Sequence, residues 1–157
     1  APFRMYKRYT HEGGVATPLI VHWPAGLKSK GELRHALSHI IDVAPTCLSV
    51  AGLSVKGMAG KSLVPVFAKD SEKERTLYWE HEGNRAVRKG DYKLVAMHDT
   101  PWELYDMNKD RSELKDLSKI MPGKAKELRL LYEAWAKRVG ALPWNEVMVT
   151  KKKKIKK

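Results

Sequence analysis

The stretch "TLYWEHEGNRAVRKGDYKLVAM", Thr76–Met97, decides how this chain is read. Its first part, TLYWEHEG, is rich in aromatic residues and closes on a glycine, as a strand does. Its second part, RAVRKGDYKLVAM, carries two short runs about Gly90-Asp91, a pair suited to a two-residue hairpin turn. Further on, WELYDM sets Trp102, Leu104 and Asp106 against Glu103, Tyr105 and Met107. That is the two-residue period of a strand with two unlike faces. After the polar turn NKDRSE comes PGKAKELRLLYEAWAKRVG, with Pro122 near its start and Gly140 past its end. Leu128, Leu131, Tyr132, Trp135 and Val139 recur along it at helical spacing. Residues from about 75 to 140 thus predict an antiparallel sheet with one helix laid across it. Trp79, Trp102 and Trp135 read as core, and Arg85 and Arg88 as structural ion-pair partners.

Upstream, "YKRYTHEGGVATPLIVHWPAG", Tyr6–Gly26, runs from a basic, aromatic lead-in to Glu12-Gly13-Gly14. The two glycines predict a close turn with positive φ. PLIVHW is apolar on both faces apart from His22, as in a strand buried inside a covered sheet, and Pro24 and Gly26 end it. KSKGELRH reads as a charged surface loop. In SHIIDVAPTCLSVAGL, Asp42 signals a helix start, Pro45 falls in the first turn, and Gly52 is a natural stop. Ala44, Cys47, Leu48 and Ala51 share one face, so Cys47 reads as a buried small hydrophobe. One strand and one helix are too little for a doubly covered parallel sheet, and residues 1 to about 68 read as the end of a larger domain. The starting sequence APFRMYKRYT has no initiator Met, so an internal starting point is expected.

With 157 residues, 43% hydrophobic and 31% charged, the chain has the composition of a globular protein. No apolar run approaches the roughly 18 residues that span a bilayer, and the N-terminus has no apolar signal-peptide core. The single cysteine excludes an internal disulfide framework and a multi-cysteine metal site. Of the net charge of +12, the terminal KKKKIKK supplies six, and the body of the chain holds +6. Such a block is a solvated tail that attracts any polyanion in a salt-sensitive way. No aromatic-basic stripe suited to stacking bases accompanies it. There is no Gly-x-Ser-x-Gly elbow, no Walker-type loop and no His-Glu-x-x-His pair. His35 and His39 stand four apart without carboxylate support. The residues by themselves describe a basic α/β chain with no self-contained active site.

Six blocks in one order resemble the carboxy-terminal part of an arylsulfatase: PFRMYKRYTHEGGVATPLIVHWPAG, HIIDVAPTCLSVAG, AGKSLVPVF, YWEHEGNRAVRKGDYKLV, WELYDMNKDRSELKDL and LYEAWAKRVGALPW. The resemblance spans about Pro2 to Trp144. It implies an α/β fold: the end of an alkaline-phosphatase-like α/β domain over residues 1–70, then a small antiparallel sheet packed with a C-terminal helix over 71–145. Residues 146–157 are expected to be a lysine-rich, disordered tail. It implies a sulfuric ester hydrolase that uses calcium and a formylglycine made from the Cys or Ser of a Cys/Ser-x-Pro-x-Arg motif. That motif is absent, as are the acidic metal ligands near the family's N-terminus, so this chain is expected to bind no cofactor and to be inactive alone.

By the same resemblance, Lys7 stands where a lysine shortly before the Glu-Gly-Gly turn reaches the substrate sulfate. A flexible ammonium can neutralise charge on a sulfate oxygen as the ester bond breaks. His81 and Asn84, in EHEGN, are candidates to touch the substrate's organic group, or else a hydrogen-bonded junction within the protein. The expected partners are a sulfate-ester substrate and the missing N-terminal catalytic part, with no specific nucleic acid and no membrane. The residues leave localisation open, and the resemblance implies a periplasmic or secreted parent. Two other readings keep to the same residues: a phosphatase or phosphodiesterase of the same superfamily, and a non-enzymatic polyanion-binding module.

Overall fold

The structure, a computed structural model, describes residues 3–28, 31–70 and 74–155. The chain divides into two compact units, residues 18–75 and residues 1–17 together with 76–157.

The second of these is built on the sheet expected from Thr76–Met97. Strands β1 (Thr76–His81), β2 (Asn84–Lys89), β3 (Tyr92–Ala96) and β4 (Glu103–Asp106) form an antiparallel meander in the order β1-β2-β3-β4. The two-residue links fit the chemistry of tight hairpins. Glu82 and Gly83 take φ of 52° and 81°, and Gly90 takes 57°. The register carries one row of partners, Tyr78, Val87, Leu94 and Leu104, straight across the sheet. Helix α4 (Pro122–Val139) lies on this face and closes the core of Val87, Leu94, Leu104, Leu128 and Tyr132. Tyr78 stacks on Trp135 at 5.0 Å, and Gly140 ends the helix at φ 70°. Val139, expected on the same stripe, is outside this core at 53% exposure.

The other face carries a second row, Trp79, Ala86, Val95 and Glu103, and beside it Leu77, Arg88, Lys93 and Tyr105. Ala86, Val95, Tyr105 and Met107 form an apolar cluster with Trp79. Three charged residues, Arg88, Lys93 and Glu103, therefore sit on this sheet face, and Lys93 is fully buried there. Arg85 and Arg88 bond to carbonyls, not to carboxylates as expected. Arg85 reaches Gly83 O and Thr100 O and lies 4.6 Å from the Trp102 ring, and Arg88 Nε donates to Gly90 O at 3.0 Å.

Glu12–Val15 form a single helical turn, α1, and neither Gly13 nor Gly14 has positive φ. At the other end, helix α5 (Trp144–Ile155) gives the lysine-rich segment helical backbone as far as Ile155. Residues 156 and 157 lie outside the described residues.

The unit of residues 18–75 is organised by Asp42. A 3-10 turn (Ile40–Asp42) leads into α2 (Val43–Val50), and α3 (Val64–Ala68) follows. The Asp42 carboxylate accepts from His39 N, Lys61 N and both terminal nitrogens of Arg75, and it is fully buried. The buried strand expected in PLIVHW is not formed. Leu19, Ile20 and Val21 belong to no helix or strand and are 55%, 88% and 42% exposed, since no described strand offers them a ladder. Cys47 is exposed, not buried, because α2 turns Pro45 inward instead.

Candidate functional site

The segment before α1 is a tight loop whose tip is Lys7. Met5 and Lys7 take left-handed φ of 60° and 52°, a conformation that L-residues seldom adopt. The loop closes on itself through Gly13 N to Arg4 O at 2.9 Å and Tyr9 N to Tyr6 O at 3.3 Å. A Cβ on Gly13 would lie 2.1 Å from Met5 O, and one on Gly14 would lie 1.9 Å from Tyr9 O. Close backbone approach, not turn geometry, is what requires glycine here. Lys7 itself is exposed, with its Nζ 5.7 Å from the centre of the Tyr6 ring.

Both ends of this loop are bolted to the charged face of the sheet. At one end, Arg4 donates to Glu103 Oε2 at 2.7 Å and to the Tyr105 hydroxyl at 2.6 Å. Tyr105 in turn donates to Glu103 at 2.8 Å, and His11 Nε2 lies 3.2 Å from the same carboxylate oxygen. Burial alone would push the Glu103 carboxyl up, but the bonds from Arg4, Tyr105 and His11 bring it below the usual carboxylate range. Burial and the bond to Glu103 push the Tyr105 phenol up, and burial holds His11 down. At the other end, Glu12 accepts from Arg111 Nε at 3.0 Å and from Lys93 Nζ at 3.3 Å. Its backbone N–H donates to Glu113 Oε2 at 2.8 Å. Lys93 Nζ stands 2.8 Å from Glu113 Oε1, in ion-pair contact.

Beside the loop is a cleft of about 440 Å³ lined by Arg8, Tyr9, Glu82, Asn84, His98 and Trp144, among others. Arg8 and Glu82 face each other at 3.4 Å. Asn84 is buried in its wall, donating from Nδ2 to His81 O at 2.9 Å and accepting at Oδ1 from His98 N at 3.3 Å. His81 is exposed and contributes its carbonyl to that arrangement. The structure thus brings Asn84 together with Arg8, the residue after Lys7, while Lys7 and His81 are not among the lining residues.

Among the described residues, no group of three or more His, Cys, Asp or Glu side chains could hold a metal ion. The buried acids are already engaged, Glu12 and Glu113 by Lys93 and Asp42 by Arg75, and the partly buried Glu103 is held by Arg4. No helix of the described residues is long and apolar enough to cross a membrane.

Sequence reasoning missed Lys93, Glu103 and Glu113. One signal was available for the first two. Lys93 stands among apolar neighbours in YKLVA, and Glu103 shares a strand face with Tyr105 and Met107. A charge at a core-facing position requires a buried partner. Which residue supplies that partner is not local information.

A family model described as N-sulphoglucosamine sulphohydrolase, C-terminal, matches residues 3–130. An uncharacterized sulfatase of Schizosaccharomyces pombe is 33% identical over 154 residues, aligned with 85% of this chain and 28% of that protein. The N-acetylgalactosamine-6-sulfatase of Mus musculus is 36% identical over 115 residues, covering 69% of this chain and 22% of the relative. The crystal structure of Ps i-CgsB superposes with a TM-score of 0.76 at 26% identity, over 86% of this chain and 32% of that one. The chain spans about a quarter of the length of these curated relatives.

Proposed function

We propose, for a chain that belongs to the sulfatase family as a carboxy-terminal part, that it serves in an arylsulfatase-type sulfuric ester hydrolase and supplies Lys7 to the substrate sulfate. One observation carries this reading. Lys7 presents an exposed ammonium from a left-handed residue at the tip of a loop fixed at both ends. Such backbone costs on the order of 1–3 kcal/mol and persists where its surroundings over-determine it, as they do at ligand clamps. An ammonium held there binds a sulfate oxygen more strongly as negative charge builds on it, which lowers the barrier to breaking the ester bond.

The cleft next to Lys7 takes the organic group. His81 and Asn84 belong to its hairpin: Asn84 holds the wall in shape and His81 offers an exposed imidazole at the end of β1. The substrate is read as a sulfated saccharide. That choice is supported by the name of the mouse relative and by the Ps i-CgsB structure in complex with k-i-k-neocarrahexaose.

Calcium and formylglycine supply the family with its electrophilic centre and its nucleophile. The described residues of this chain fit neither. Its acids are paired with cations, and Ser49 and Ala51 stand after Cys47 where the motif needs Pro and Arg. Both groups, and the steps through them, belong to the N-terminal catalytic part that is the expected partner of this chain.

The test is Lys7→Ala in the complete sulfatase, with Arg8→Ala as the control for a general loss of positive charge. A charge-assisted contact in a dry site is worth about 2–4 kcal/mol, so turnover should fall about 30- to 1000-fold while KM changes little. Near-normal kinetics in Lys7→Ala with a large loss in Arg8→Ala would overturn the assignment.

A further inference from the structure

Lys93 and Glu113 are fully buried and Glu103 is partly buried, and none of the three has its charged partner in the α4 core. What they touch is the Lys7 loop. We propose that Lys93, Glu103 and Glu113 are positioning residues that set where the Lys7 ammonium stands, each acting through a residue at one end of that loop. The proposal rests on the reading of Lys7 as the sulfate contact.

The geometry is specific to the loop. Glu103, on β4, receives Arg4 at 2.7 Å and lies 3.2 Å from His11 Nε2. Glu113, in the turn after β4, uses Oε2 to accept Glu12 N–H at 2.8 Å, which fixes the first residue of α1. Its other oxygen faces Lys93, whose Nζ also reaches the Glu12 carboxylate at 3.3 Å. Lys93, Glu113 and Glu12 are all buried, so these contacts act without solvent screening. Between the two anchors, Gly13 N bonds Arg4 O and ties one end to the other. Residues 4–12 are therefore held as a staple with Lys7 at its crown. The sheet that carries the staple is more than eighty residues further along the chain. A small shift of either anchor moves the crown, and a displacement of about 1 Å at a reacting group costs on the order of 100-fold in rate.

A double-mutant cycle between Lys7→Ala and Glu113→Gln in the complete sulfatase, read as kcat and KM on a sulfate ester, tests the proposal. Gln keeps an acceptor for Glu12 N–H but removes the charge that holds Lys93. Glu113→Gln alone should lower kcat by about 10- to 100-fold with KM little changed. Combined with Lys7→Ala it should add less than about 3-fold, because a lysine that is absent cannot be misplaced. Amide exchange of Glu12 and Gly13 in Glu113→Gln should quicken while that of β3 stays slow, which a general loss of stability would not produce. Arg111→Met runs the same cycle from a half-exposed member of the cluster if Glu113→Gln does not fold. Losses that multiply in the double variant overturn the positioning role and leave Lys7 in place. If Lys7→Ala alone is silent, the sulfate reading fails, and quickened exchange at Glu12 and Gly13 then reports the staple by itself. Unchanged exchange there in both variants overturns the staple as well.

Discussion

Lys93, in the middle of β3, and Glu113, in the turn after β4, form an ion pair of 2.8 Å in which neither side chain reaches solvent. The pair sits where a sheet of this size would ordinarily bury aliphatic residues. Through Glu12, which Lys93 also reaches, it ties the N-terminal loop to the C-terminal sheet.

Removing one partner of the pair should be far worse than removing both. Lys93→Met leaves Glu113 buried without its cation and Glu12 with Arg111 alone, and should cost about 3–5 kcal/mol in urea unfolding. Adding Glu113→Gln to Lys93→Met should recover part of that loss, because the remaining group is then neutral. A double variant less stable than the sum of the singles contradicts the ion-pair account.

Gly13→Ala should destabilise by about 1–3 kcal/mol, because the new methyl would meet Met5 O at 2.1 Å and backbone cannot swing aside as a side chain does. Gly123→Ala, in α4 with nothing within 4 Å of the added carbon, should instead stabilise by about 0.5–1 kcal/mol. Denaturation midpoints of the two variants should therefore move in opposite directions.

Acid should weaken the protein in two windows of pH. His11 and His39 are both held below the ordinary histidine range, chiefly by burial. Each binds its proton less well folded than unfolded, so stability declines as pH falls below the unfolded value of about 6.5. Burial pushes the Asp42 and Glu103 carboxyls up, but hydrogen bonds from Arg75 and from Arg4 outweigh it, and both end lowered. Their contribution is complete above about pH 4 and is lost as pH falls through the lowered values. Urea midpoints measured from neutral pH downward should decline in both windows. His11→Gln should flatten the upper decline, and Asp42→Asn the lower.

Amide exchange should be slowest in β2 and β3, which each have a strand on both sides, and fast at residues 19–23, which have none. Slow exchange at Leu19–Val21 in a monomeric sample would show that those residues find a ladder partner in solution.

The chain by itself should not turn over an aryl sulfate in the presence of calcium, since neither the nucleophile motif nor an acidic metal cluster is built from its described residues. Turnover above that of a Lys7→Ala control would contradict this.

The sequence by itself determined the meander and its helix. Hairpin turns, two-residue alternation and the stripe of Leu128, Tyr132 and Trp135 are local signals, read over a few residues. It also carried the family resemblance, because ordered blocks such as Lys7 to Gly14 and Trp102 to Leu117 survive as strings. Tertiary structure decided which apolar and charged residues are inside. PLIVHW has the composition of a buried strand yet lies open, because burial of a strand depends on a neighbour and not on its own residues. Glu113 looks like a surface charge in a polar turn, and the apolar neighbours of Lys93 in YKLVA do not say which residue pairs with it. Both are fully buried because each supplies the opposite charge to the other, from positions that only the folded sheet and turn bring within 2.8 Å.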